Sequence, residues 1–181
     1  MKAILAVMLV ASVAIVSMFA ARTPYPVLFA RHVPSLEVVN DRGEHVQFRS
    51  ESARAFVIFG YTRCHDACPL QLGGLARGLM ELPPRMRPRV LFITIDPEYD
   101  SPPVLAGYLE NWGGLVEGIT GSPQTIRRIY EAFTGAPGLP SVADDHDSQI
   151  FAADALGEVT EAPDPGSRAF VTAARSLAKE R

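Results

Sequence analysis

"FGYTRCHDACPLQL", residues 59–72, contains both cysteines of the chain, and Pro69 follows the second one directly. Proline disfavours helical geometry at the residue before it and suits the first turn of a helix. The stretch therefore reads as a strand end, a loop carrying Cys64, and a helix capped at Cys68. Both sulfurs would then lie near a helix N-terminus, where unpaired N–H groups and the positive end of the dipole stabilise a thiolate. Such thiols are reactive or metal-ligating. A structural disulfide around so small a loop would add little chain-entropy stabilisation. His65, Asp66 and Ala67 lie between the cysteines, one residue more than in a Cys-x-x-Cys redox site. The wider loop can still close a disulfide, and it leaves room for an ion between the sulfurs.

Two thiolates leave a metal under-coordinated, so a third ligand is expected from elsewhere, and the chain has four histidines. His32 falls in an irregular stretch, His45 on the polar side of a hairpin strand, and His65 between the cysteines, where its ring is expected to face solvent. His146, in "VADDHDSQIF", lies on a loop before a strand and is the candidate third ligand. Taken alone, a loop histidine among Asp144, Asp145 and Asp147 is more often a solvated surface residue.

Outward from the cysteines, "LEVVNDRGEHVQF" reads as two alternating strands around an Asp-Arg-Gly turn, and "AFVIFGY" as a strand buried on both faces. Leu72, Leu75, Leu79 and Met80 recur at helical spacing after the cysteines, although glycines interrupt the pattern. "RVLFITI" is a second buried strand. Ser101-Pro102 and Ser122-Pro123 each offer an N-cap and a first-turn proline for the helices "PPVLAGYLENW" and "PQTIRRIYEAF". "SQIFAAD" and "EVTEA" form a late strand pair, and Asp164-Pro165 is expected to start a last helix. Together these make an α/β domain with a mixed sheet flanked by helices, in the arrangement of a thioredoxin-like fold.

The N-terminus differs in kind. After Lys2, the run from Ala3 to Ala21 is uncharged and broken only by Ser12 and Ser17. About 20 apolar residues cross a bilayer core, and the small-x-small cleavage sites around Met18 to Ala21 are poor. An uncleaved anchor is favoured over a removed signal; a buried core helix would need apolar partners on every face. Residues 1–22 are thus expected to be a membrane segment, 23–34 a stalk and 35–181 the folded domain. The domain is expected outside the cytoplasm, on the periplasmic or extracytoplasmic side of the inner membrane. In that oxidising setting two cysteines serve as a disulfide, a redox pair or a metal site.

Composition bounds the rest. With 181 residues, 48% hydrophobic and 20% charged, the chain suits one globular domain. The 17 basic residues are outnumbered by 20 acidic ones and form no block, so nucleic acid is not an expected partner.

From about Pro34 to Asp154 the sequence resembles the Sco family, also called SenC, of copper-delivery proteins. Four motifs in order carry the resemblance: "FGYTRCHDACP", "ITIDPEYDSP", "GITGSP" and "DHD". It implies that Cys64, Cys68 and His146 bind copper, as Cu(I), Cu(II) or both. Thiolates suit soft Cu(I), and an added imidazole gives a site that also holds Cu(II). Asp96 matches the family's aspartate after the second strand, where it would orient a ligand or meet a partner. Its simpler reading is an Asp-Pro turn, and Asp100 reads as a turn or capping residue. Arg63, His65 and Asp147 depart from the family's usual histidine, proline and serine but leave the three ligands intact. Arg63 would favour thiolates, whereas Asp145 and Asp147 would favour an imidazolium.

The resemblance implies a metallochaperone that helps assemble the dinuclear copper centre of cytochrome c oxidase. Its partners would be the copper-bearing oxidase subunit or another cuproprotein, an upstream copper donor, and the membrane through the N-terminal segment. The alternative is an enzyme, a thiol–disulfide reductase keeping the target's cysteines reduced, with Cys64 attacking and Cys68 resolving. No additional feature favours peroxide chemistry, and structural zinc would need a fourth ligand.

Overall fold

The computed structural model describes residues 31–141 and 149–179. The expected membrane segment and His146 both lie outside them. Among the described residues, no helix is long and apolar enough to cross a membrane.

The centre of the fold is β4 (Ala55–Gly60), whose six residues are all buried. It runs parallel to β5 (Arg89–Thr94), and β5 runs parallel to β6 (Val116–Thr120). β7 (Ile150–Ala153) joins β4 antiparallel and carries β8 (Glu158–Glu161); β2 (Glu37–Asn40) joins β6 antiparallel and carries β3 (His45–Gln47). With β1 (Arg31–His32) on β8, the eight strands run in the order β1-β8-β7-β4-β5-β6-β2-β3. This is the expected mixed sheet.

Strand alternation divides the core in two, because successive side chains point to opposite faces. Phe56, Ile58, Val90 and Phe92 face α2 (Ala67–Met80), α3 (Pro102–Leu109) and α5 (Arg168–Lys179), together with both cysteines. Val57, Phe59, Leu91 and Ile93 face α4 (Pro123–Thr134), whose Ile126, Ile129 and Phe133 are fully buried. The short α1 (Phe48–Glu51) inserts Phe48 on that second face, 6.0 Å from the Phe133 ring. The cysteines thus belong to one named layer, at the C-terminal end of the central strand, where α/β sheets present their ligands.

Of the glycines that interrupt the helical pattern of α2, Gly78 has a packing role. A Cβ on Gly78 would lie 2.8 Å from the Phe170 ring and 2.9 Å from the Pro165 carbonyl oxygen, so α2 packs there directly on the turn before α5 and on the α5 Phe170 ring.

Several boundaries differ from the sequence expectation. β6 was not expected, since "VEGIT" carries a charge at Glu117 and a glycine at 118, both poor strand signals. Tertiary context overrides them. Arg42 and Arg89 bond Glu117, and a Cβ at Gly118 would press on Leu109, Leu105 and Asp41 at 3.0–3.2 Å. The last helix begins at Arg168 rather than at Asp164-Pro165. Asp164 closes a turn by accepting the Gly166 N–H at 3.0 Å, and Ser167 Oγ takes the capping bond from the Phe170 N–H at 3.2 Å. The sheet also takes in Arg31–His32, ahead of position 35, and Val33 beside them is buried.

Candidate metal centre

β4 ends at Gly60, and its carbonyl accepts the Ile95 N–H at 2.7 Å, which joins the start of the cysteine loop to the end of β5. The loop then turns tightly, with the Cys64 N–H donating to the Tyr61 carbonyl at 3.1 Å. Helix α2 begins at Ala67 with Asp66 as its N-cap, so Cys68 lies inside the first turn and not at the cap. Pro69 is accommodated because the first-turn N–H groups have no intrahelical partner.

Two sulfurs meet in this turn. Cys64 Sγ accepts the Cys68 backbone N–H at 3.3 Å, and both thiols are free and buried. Gly60 makes room for the second, since a Cβ there would lie 2.7 Å from Cys68 Sγ. The expectation that the helix N-terminus lowers both thiol pKa values is corrected at Cys68. Burial, reinforced by the hydrogen bond to Cys64, pushes Cys68 up to about 12 against the opposing backbone bond from Tyr61. Desolvation of the charged form outweighs the helix end because the sulfur is wholly covered, at 0% exposure.

A buried carboxylate braces the loop. Asp100, fully buried, accepts the Thr62 N–H at 3.1 Å, the Thr62 hydroxyl at 2.5 Å and the Thr94 hydroxyl at 2.6 Å. Asp100, expected as a turn or capping residue, is instead the brace between the two loops. The available signal was the pair Thr62, just past the end of β4, and Thr94, at the end of β5, each a short side chain able to reach one acceptor.

Asp96 lies on the neighbouring loop, where its backbone N–H bonds Thr94 Oγ1 at 2.9 Å and its carbonyl accepts the Tyr99 and Asp100 N–H groups. Its carboxylate pairs with Arg63, whose guanidinium also stands 4.3 Å above the Tyr99 ring. Arg63 is therefore committed to Asp96 and Tyr99, and the pair ties the cysteine loop to the β5–α3 loop. His65 is exposed. His45 is also exposed and bonds Glu37 at 2.9 Å, as a surface histidine would. Among the described residues, no cluster of three or more metal-binding side chains occurs. Two converging sulfurs are a soft partial donor set that fits copper(I) and leaves a coordination position for a further ligand.

A family model described as SCO1/SenC matches residues 29–174, most of the chain. The chain belongs to the SCO1/SenC family. An SCO2-like protein of Rickettsia felis is 31% identical over 134 residues, covering 67% of this SCO1/SenC chain and 64% of the relative. The copper-bound structure of Bradyrhizobium japonicum ScoI superposes with a TM-score of 0.64 at 24% identity, covering 83% of this chain and 99% of that one. BsSco, described as a member of the Sco family of cytochrome c oxidase assembly proteins and as containing a disulfide switch, superposes at 0.67 with 19% identity, covering 83% and 95%. These likenesses bear out the thioredoxin-like mixed α/β fold. The family model also spans the four motifs on which the resemblance was read.

Proposed function

We propose that this chain carries copper on Cys64, Cys68 and His146 and delivers it during assembly of the dinuclear copper centre of cytochrome c oxidase. The carrying observation is the meeting of the buried Cys64 sulfur, in the loop before α2, with the Cys68 N–H in the first turn of α2, beside a glycine that leaves space for the Cys68 sulfur. Copper is cargo here, not a resident catalyst. Binding exchanges thiol protons for the ion, and release needs only stronger or more numerous ligands on the acceptor. Membership of SCO1/SenC and the copper-bound ScoI support the reading. The proposal includes an N-terminal anchor in the inner membrane, the domain on its outer side, and Asp96 with Arg63 at the rim that meets the partner.

Anaerobic Cu(I) titration of the full chain in mild detergent tests this, with Cys64→Ser, Cys68→Ser and His146→Ala alongside and X-ray absorption on each product. One tight equivalent with sulfur and nitrogen ligands, weakened in every variant, is the expected result. Tight binding indifferent to His146→Ala would remove that ligand, and no tight binding by the parent would overturn the reading.

A second reading is favoured by the bond from the Cys68 backbone N–H to Cys64 Sγ, which brings the first sulfur back to the residue that carries the second. As a reductase, the dithiol would pass two electrons and two protons to a target disulfide and become the Cys64–Cys68 disulfide. His146→Ala separates the two, since thiol exchange would survive it while copper binding would not.

A further inference from the structure

The hydroxyl of Tyr108 is a buried side-chain polar atom with no hydrogen-bond partner among the described residues. Leaving such a group unpaired is costly, so a retained one asks for a use. Tyr108 lies on α3, its ring 5.6 Å from Phe92 and 5.3 Å from Trp112, packed against the apolar cluster that contains Cys64 and Cys68. Phe92 is the same ring that shares the space above Gly60 with Cys68 Sγ. Burial first, and then Cys68, Cys64 and Asp100 in that order, push the Tyr108 pKa upward, so the phenol keeps its proton and remains a donor.

Of those three neighbours, Asp100 already has both oxygens engaged by Thr62 and Thr94. The sulfurs are the acceptors with capacity to gain. A protonated thiol is a weak acceptor, whereas a metal-bound thiolate carries charge and accepts strongly.

We infer that the Tyr108 hydroxyl is a donor kept for the copper-bound sulfurs of Cys64 and Cys68, making it a positioning residue that strengthens copper binding. The inference rests on the copper reading above. It assigns the unpaired hydroxyl a purpose that only the loaded state fulfils: the hydroxyl bonds neither sulfur in the structure and turns to the negative charge that arrives with the thiolates.

The test is Tyr108→Phe in the full chain, which keeps the ring and deletes only the hydroxyl. Cu(I) affinity, measured by competition with a chromophoric chelator, is expected to fall about tenfold. In the Cu(II) form, the sulfur-to-copper charge-transfer band is expected at longer wavelength, because an unbonded thiolate holds its electrons less tightly. The urea midpoint of the reduced, copper-free variant is expected to be equal to or above the parent's. Parent-like affinity and band position would overturn the inference while leaving copper binding by the parent intact. A lower copper-free midpoint would also overturn it, by showing that the hydroxyl has a structural partner. A parent that binds no copper would instead overturn the copper reading and the inference with it.

Discussion

Asp100 holds Thr62 with both of its oxygens across 38 residues of chain, Oδ1 accepting the hydroxyl at 2.5 Å and Oδ2 the backbone N–H at 3.1 Å. Oδ2 also takes the Thr94 hydroxyl at 2.6 Å. One buried carboxylate therefore fastens the segment just before Cys64 to the end of β5. Asp100→Asn replaces one acceptor with an NH₂ that faces donors, and is expected to cost about 1–3 kcal/mol. Urea unfolding of the reduced chain checks the cost, and Cu(I) competition is expected to show weaker binding because the Cys64 loop loses its brace. An unchanged midpoint would mean that the carboxylate is not the fastening.

Gly60 is fixed by proximity to the sulfur site. A Cβ there would lie 2.7 Å from Cys68 Sγ and 2.7 Å from Phe92 Cε2. Gly60→Ala must therefore move the sulfur or the ring, and overpacking of this kind costs about 1–3 kcal/mol. The expected signature is a lowered thermal midpoint together with weaker copper binding, the second because Cys68 is the atom displaced. A midpoint loss with parent-like copper affinity would show that the ring yields instead.

Two glycines of α2 should respond with opposite signs. Gly78 lies against Phe170 and the Pro165 carbonyl, whereas a Cβ on Gly73 would meet only the Arg77 guanidinium at 3.5 Å. Gly73→Ala is expected to stabilise by about 0.5–1 kcal/mol through helix propensity and unfolded-state entropy. Gly78→Ala is expected to destabilise, since backbone cannot give way as a side chain can. Parallel urea titrations read both, and equal signs would contradict the close packing of Gly78 on Pro165 and Phe170.

Alkaline pH should weaken the reduced protein through Cys68. Its folded pKa is raised to about 12 by burial, whereas an unfolded thiol ionises near 8.5. The contribution is fully present below the unfolded pKa and is lost as pH rises from there toward the folded value. Within that window one group removes at most about 1.4 kcal/mol per pH unit. Comparing urea midpoints at pH 8 and pH 10 checks this. Cys68→Ala is expected to lower the midpoint at both values but to flatten the difference between them.

The local signals in this chain are strong where they concern backbone and periodicity. The apolar runs within "AFVIFG" and "RVLFIT" became the buried central strands. Ser122 followed by Pro123 became an N-cap, with Ser122 Oγ accepting the Thr125 N–H at 3.1 Å. "FGYTRCHDACP" was enough to put two sulfurs at the start of a helix, since a strand, a tight loop and a first-turn proline are all short-range instructions. The four ordered motifs likewise pointed to the family that the family model matches.

Long-range contacts decided the rest. β6 forms despite Glu117 and Gly118 because Arg42, Arg89, Leu105 and Leu109 come from distant segments to accept them. Asp100 looked like a turn residue until Thr62 and Thr94 met it in space. The Cys68 thiol was expected to ionise readily from its place at a helix end, yet its burial against Gly60 at the end of β4 holds the proton on. Helix ends and turns depend on neighbours in sequence, and the chain spells them out. Desolvation, buried bonding and close packing depend on which segments the fold brings together, so they exist only once the tertiary structure has formed.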